Sequence, residues 1–233
     1  PFGAAYKSGW NLAEEFVNMF IGHGGEFFKA GTAEPNINNA KGVATLNMLK
    51  KLASLSNPDY LTHDSEAIKV EWESGKVALM TLWASRSGTL LDDEGDAKIT
   101  AATKLTGPAT VGGGNIPAAT LWWDGFTLAK NRSDSDAEAT FIALAHAASN
   151  KKMVADAADQ AVWLVEGFVP GPKSIGVIEA VKMGAKPYPM LPQMGLMHGA
   201  LGSEIVEFLQ GKESAEQALK DVEAAYISKA KEQ

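Results

Sequence analysis

The sequence contains no cysteine. That excludes thiol catalysis, thiolate metal sites and disulfide staples together, and leaves both reducing and oxidising compartments open. No stretch approaches the roughly 20 uninterrupted apolar residues that cross a bilayer, so the chain does not read as an integral membrane protein. Basic residues are outnumbered, with 21 Lys plus Arg against 28 Asp plus Glu, a formal charge of −7 and no basic block. Nucleic acid is a poor partner for such a surface. Metal-ligand spacing is missing too: His23, His63, His146 and His198 stand far apart, and none sits in a His-Glu-x-x-His helix. No Gly-x-Ser-x-Gly elbow occurs, and Gly75-Lys76 and Gly211-Lys212 lack the rest of a phosphate-binding loop. Gly112 to Gly114 runs into Asn115-Ile116-Pro117 rather than an opening helix. The expectation is no metal, no cofactor and no catalytic residue. An initiator Met is also lacking, and the chain is expected to begin inside a longer gene product.

What is present is an ordinary globular composition over 233 residues, 45% apolar and 21% charged, enough to bury a core without staples. Apolar spacings of three and four predict a helix from Trp10 to Ile21, stopped by Gly24-Gly25. A second, capped by Asn38 or Asn39, carries Val43, Leu46, Leu49, Leu52 and Ala53 up to Asn57-Pro58. A third runs from Asp64 or Ser65 through Trp72 to Gly75. Val77 to Trp83 reads as a strand buried on both faces, and Thr120 to Ala129 as a second apolar strand. Between them, Ser85 to Pro117 is a long polar connection. Ser135 to Glu138 has capping-box spacing ahead of Phe141, Ile142, Leu144 and Ala145, and another helix opens near Lys151. Glu166 to Ile175, with Pro170 and Pro172, reads as extended. Two helices close the chain, one from about Leu196 to Gln210 stopped at Gly211, the other opened by Ser214 and Gln217 and burying Ala218, Leu219, Val222, Ala225 and Tyr226. Helices outnumber strands, and their alternation points to α/β layering.

The distinctive residue is tryptophan, of which there are six. A sugar ring has an apolar C–H face that an indole can cover and a rim of hydroxyls that Asp, Asn and Arg can bind. Trp72 and Trp163 lie on apolar helix faces and are read as core. Trp10, Trp83 and the Trp122-Trp123 pair sit at element ends, where a site and a core position are both open, and strand alternation should send only one of the pair toward a ligand. Arg86 and Asp124 are polar neighbours of these rings, though either also suits a surface ion pair. The run Asp92 to Asp96 holds the carboxylates a glycosidase would need, but adjacent acids on a Gly-rich loop usually face water.

The order of several motifs carries a resemblance. They are Trp10 opening a helix that ends in Gly24-Gly25, Asn39-Ala40-Lys41-Gly42, Trp72-Glu73-Ser74-Gly75-Lys76-Val77-Ala78-Leu79-Met80, Gly125-Phe126-Thr127-Leu128-Ala129, Gly167-Phe168-Val169-Pro170, Leu191-Pro192-Gln193-Met194, and Leu209-Gln210-Gly211-Lys212-Glu213-Ser214-Ala215-Glu216-Gln217-Ala218-Leu219. Together they span nearly the whole chain. In this order it resembles the extracellular solute-binding proteins of carbohydrate ABC importers, the maltose-binding-protein group.

That resemblance implies a helix-rich α/β fold of the type II periplasmic-binding-protein kind: a C-terminal lobe plus a segment belonging to the first lobe. Residues 1–120 would form the first part of the C-terminal lobe, residues 121–169 would return to an N-terminal lobe whose remainder is absent, and residues 170–233 would close the C-terminal lobe. It implies binding of a sugar or polyol in an interlobe cleft without catalysis, delivery to a membrane permease, and a periplasmic or lipid-anchored extracellular location. Carried over residue by residue, the resemblance points to Trp10, Trp83, Trp123, Asp124, Gly125 and His198 as ligand-binding, and Arg86, the polar neighbour of Trp83, completes the expected set. Pro172-Lys173 departs from the Arg many sugar binders have two residues beyond the matched proline. Lacking its sheet neighbours, the returning segment is expected to self-associate in a crystal. The alternatives are a carbohydrate-active hydrolase using Asp92, Asp93 or Asp124, and a polyamine-type cation binder of the same fold with Asp124 as counter-charge.

Overall fold

A computed structural model describes residues 1–92, 95–158, 161–163 and 165–232, and Asp93, one of the acids weighed above, lies outside them. In chain order the regular elements are β1 (Phe2–Gly3), α1 (Trp10–Gly22), α2 (Ala40–Ala53), α3 (Ser65–Glu73), β2 (Leu79–Met80), α4 (Ala84–Ser87), α5 (Ala97–Ala102), β3 (Thr120–Leu121), α6 (Asp134–Ser149), α7 (Lys151–Asp156), α8 (Ile175–Lys182), β4 (Lys186–Pro187), α9 (Met194–Leu209) and α10 (Ala215–Ala230). No helix among the described residues is long and apolar enough to cross a membrane.

The main core is helical and joins the two ends of the chain. Phe16, Val17 and Phe20 of α1, Leu46 and Leu49 of α2, Met197, Leu201 and Ile205 of α9, and Leu219 and Val222 of α10 are all sealed from water. Capping fixes where these helices begin. Asn39 accepts from the amides of Lys41 and Gly42 at the head of α2, and Ser214 from the amide of Gln217 at the head of α10, each satisfying donors that the first turn leaves free. Gly211, at φ +77°, turns the chain out of α9 in a conformation that costs a side chain about 1 kcal/mol or more. At Gly202 of α9 the chain passes close to the head of α1: the Gly9 amide donates to the Gly202 carbonyl at 2.9 Å, and the Ser8 hydroxyl donates to the same oxygen at 3.1 Å.

The strands are shorter than the apolar runs predict. Of Val77 to Trp83 only Leu79–Met80 is strand, paired in parallel with Phe2–Gly3, and Leu79 is 64% exposed. A strand buried on both faces needs neighbours and covering helices, and among the described residues β1 is the sole neighbour of β2 in its sheet. Of Thr120 to Ala129 only Thr120–Leu121 is strand, in parallel with Lys186–Pro187. Nor is the helix after it opened by Ser135. Ser133 is the cap, accepting from the Asp136 amide, and Ser135 and Glu138 already lie inside α6. Glu166 to Ile175 is not extended throughout, because Pro172–Ser174 forms a 3-10 turn that leads into α8. Trp72 and Trp163 are half-buried rather than core, each with its indole N–H bonded, to the Thr103 hydroxyl and the Ala157 carbonyl respectively.

Between Trp122 and Asn150 no residue is buried. Phe126, Phe141 and Ile142 are 69%, 65% and 59% exposed, although the last two belong to the apolar stripe of α6. Large apolar side chains left in water are a recurrent mark of interaction surfaces.

Candidate functional site

Three of the six tryptophans stand at ends of elements that meet beside α1. Trp10 is the first residue of α1, Trp83 immediately precedes α4, and Trp122 immediately follows β3. Their rings meet: the Trp10 centroid lies 5.0 Å from that of Trp83 and 5.6 Å from that of Trp122. Tyr188, just past β4, lies 4.2 Å from Trp122. His198 of α9 lies 5.0 Å from Trp10 and 5.9 Å from Tyr188. The result is a platform of tilted rings with Trp10 at its centre, where Trp10 and Trp122 remain 51% and 45% exposed. Indoles are rarely left this open in an isolated patch unless something is meant to lie on them.

Strand geometry decides which tryptophan joins. Side chains alternate along a strand, so Thr120 and Trp122 share a side. That side faces α1, since the Thr120 hydroxyl lies 2.8 Å from Glu14 Oε1 and 2.9 Å from Asn18 Oδ1. Trp122 follows it, its indole N–H donating to Thr120 Oγ1 at 2.9 Å and reaching Glu14 Oε1 at 3.3 Å. Trp123 takes no part in the ring contacts that join Trp10, Trp83, Trp122 and Tyr188, and it is 63% exposed.

His198 supports the platform from below. Its ring is buried, with Nε2 3.0 Å from the Trp10 carbonyl and Nδ1 2.9 Å from the Tyr188 hydroxyl. A carbonyl can only accept, so Nε2 carries the proton and Nδ1 of the neutral ring accepts from the Tyr188 O–H. Burial, the main influence on it, holds the imidazole below its ordinary pKa, which agrees with the neutral form. The same loss of water, with the nearby Glu14 carboxylate adding to it, pushes the Tyr188 phenol upward.

Glu14 lies against Trp122, and Glu15 is its neighbour on α1. Glu14 is 1% exposed, and its Oε2 is buried with no hydrogen-bond partner among the described residues. Desolvation raises Glu14 to about 7 against the pull of its bonds to Thr120, Trp122 and Asn18. Glu15 is likewise raised to about 7 by desolvation, with its Oε1 taking the Ala5 amide at 3.4 Å and the Thr81 hydroxyl at 3.2 Å. Both groups therefore hold a proton in the fold that they lose in the unfolded chain above their ordinary value of 4.5. The fold is accordingly most stable below that value and loses stability as pH rises to about 7, by roughly 3 kcal/mol for Glu14 at about 1.4 kcal/mol per pKa unit. Urea midpoints at pH 5 and pH 8 measure this, and the difference should shrink in Glu14→Gln; equal midpoints in the parent chain would contradict it.

The residues expected from the sequence divide. Trp10, Trp83 and His198 come together. Trp123, Asp124 and Gly125 lie on the open stretch after β3, with Trp122 taking the place in the ring cluster. Arg86 is paired with Glu66 of α3. Asp92 is held by Lys173 at 2.5 Å. Tyr188, Glu14 and Glu15 carry no sequence motif, but one signal was available: Glu14 falls four residues after Trp10, inside a stripe otherwise apolar. Two hollows, of about 370 Å³ beside Leu55, Asn57 and Val77 and of about 510 Å³ beside Pro35, Leu196 and Ile227, are lined by none of these rings. With Trp10 and Trp122 about half exposed, the platform presents an open surface.

No family model and no curated protein matches this chain, but solved structures do. A T. maritima MalE3 with maltose bound superposes with a TM-score of 0.72 at 16% identity, covering 97% of this chain and 59% of its own. An ABC transporter solute-binding protein from Agrobacterium radiobacter K84 in complex with ribitol gives 0.70 at 18% identity, over 96% of this chain and 58% of its own. One from Agrobacterium vitis S4 with bound D-mannitol gives 0.65 at 16% identity, over 99% and 61%. The chain has the fold of these solute-binding proteins, and it spans about three fifths of their length.

Proposed function

We propose that the chain binds a sugar or polyol, without catalysis, as part of the recognition component of a bacterial ABC importer. The observation that carries this reading is the gathering of Trp10, Trp83, Trp122 and Tyr188 on one open face. Flat rings of this kind cover the C–H faces of a hydroxylated guest, while a few polar groups at the edge fix its orientation. Three of the solved neighbours hold maltose, ribitol and D-mannitol, guests with that chemistry. In this reading Trp10 and Trp83 belong to the ligand-binding set, with Trp122 in place of Trp123, and His198 acts by holding Trp10 and Tyr188.

An open platform gains from a second wall, and residues 121–169 are proposed to belong to the lobe that supplies it. On this division residues 1–120 and 170–233 form the platform's own lobe. Phe126, Phe141 and Ile142, exposed here, would pack against the rest of the companion lobe. Closure of the two around the guest is driven only by contacts that the closed state adds. The complex would then meet a membrane permease, on the outer side of the cytoplasmic membrane. The 233-residue chain studied alone is expected to self-associate through this face, and Phe141→Glu with Ile142→Lys to shift it to monomer in sedimentation. A monodisperse parent chain would count against the assignment.

The hydrolase and polyamine readings gain nothing: Asp92 is engaged by Lys173, and Asp124 lies on the open stretch outside the ring cluster. The test is titration of the full-length protein with ribitol, mannitol, maltose and a wider carbohydrate panel, with putrescine as the competing class. A tryptophan fluorescence change and a thermal shift with sugars or polyols are expected. Silence across that panel, or a response to putrescine alone, would overturn the reading.

A further inference from the structure

Glu14 is an odd residue to find beside a platform for neutral guests. Its Oε1 is well used, taking the Thr120 hydroxyl and the Trp122 indole N–H, whereas its Oε2 is sealed from water without a partner among the described residues. A carboxylate spreads its charge over both oxygens, so an unsatisfied Oε2 is costly when ionised. Neutral, the group keeps Oε1 as an acceptor for Thr120 and Trp122 and parks its proton on Oε2. Resting on the proposed function above, we infer that Glu14 is a proton-bearing positioning residue of the platform: its neutral carboxyl seats Trp122, and binding of an uncharged guest completes its protonation.

The direction follows from solvent. Trp10 and Trp122 are about half exposed, so a guest lying on them removes water from the neighbourhood of Glu14. Desolvation is already what dominates this carboxyl, and more of it favours the protonated form further. Binding and protonation therefore reinforce each other, and by linkage affinity falls as pH rises through the titration of Glu14.

Few other ionisable groups face it. Glu15 adjoins it on α1 and Tyr188 interacts with it from beyond β4, with His198 of α9 behind Tyr188. The remaining charges of α9 are directed elsewhere, since Glu204 and Glu207 act on Glu213 near the far end of that helix. The lysines of α2 are turned away too: Lys41 donates to the Gly24 carbonyl, Lys50 to the Phe208 carbonyl at 3.0 Å, and Lys51 is exposed.

The first measurement needs no ligand. Side-chain carboxyl NMR of the 233-residue chain should show the Glu14 resonance titrating near pH 7, and Glu15→Gln should leave that transition in place. A Glu14 midpoint at the ordinary carboxylate value overturns the inference whatever the protein binds. The second is calorimetry of the full-length protein with ribitol, mannitol and maltose at pH 7 in two buffers of different ionisation enthalpy. Uptake of about 0.5 proton per guest is expected for a group half-ionised beforehand, with affinity weakening about tenfold for each unit by which binding raises the Glu14 pKa. In Glu14→Gln the buffer dependence should vanish. Binding with identical heats in both buffers refutes proton uptake while leaving the platform intact; absence of binding refutes the platform, and the NMR titration still decides the state of Glu14.

Discussion

Alanine at Gly202 is expected to cost the fold about 3 kcal/mol, at the upper end of what overpacking does, and to dislodge the head of α1. A methyl group there would sit 2.3 Å from the Gly9 carbonyl oxygen and 2.8 Å from the Gly9 Cα. These are backbone atoms, so no side chain can swing aside to make room. The neighbouring Gly9 amide and Ser8 hydroxyl both hold the Gly202 carbonyl, and Trp10 is the next residue along. The injury should therefore reach the ring platform as well as the core. Gly195, on the same helix, is the control, because a methyl group at that position would meet nothing within 4 Å. Alanine there should be neutral or stabilising by up to about 1 kcal/mol. Urea unfolding of both variants, with tryptophan emission in the folded state, measures the contrast. Matching midpoints for the two alanines would show that the approach of Gly9 to α9 is not what fixes Trp10.

Trp10→Ala is expected to weaken sugar or polyol binding at least about 30-fold, the loss typical of a central aromatic anchor, at ~2 kcal/mol or more. Trp10 touches Trp83, Trp122 and His198 at once, so its removal takes away contact area and leaves the other rings without a common neighbour. Trp123→Ala should change affinity by less than about twofold, as for a residue outside the contact centre. Titration calorimetry of the two variants beside the parent gives the comparison. The reverse ranking would place the guest on the other side of β3.

Much of the helical frame was readable from the sequence because it depends on local chemistry. The Asn39 and Ser214 caps, the Gly211 stop and the apolar stripes of α1, α2 and α10 are each set by residues a few positions apart. The strands failed where the outcome rests on distant neighbours. Apolar content in Val77 to Trp83 signals burial, but only a sheet with more members could provide it, and among the described residues β2 has β1 alone. For the site, Trp122 rather than Trp123 joins the rings, a choice that alternation alone leaves open. The phase is set by Thr120 reaching Glu14, a contact across 106 positions that no local pattern encodes. Tyr188 and Glu15 were invisible for the same reason, and Glu14 showed only as an acid inside an apolar stripe: their roles arise from packing, not from spacing.

The hydrophobic core draws on residues 2–53 at one end and 194–226 at the other. Helical proteins usually assemble fast because their contacts are local, and this one has forfeited that advantage. The first two long helices have to wait, with Phe16, Phe20 and Leu46 incompletely covered, until a partner roughly 150 to 180 positions downstream arrives to close an entropically expensive loop. Refolding should accordingly be slow for so helical a chain, and its early intermediates sticky. A cell making it would do best to shield the leading half until the trailing half emerges.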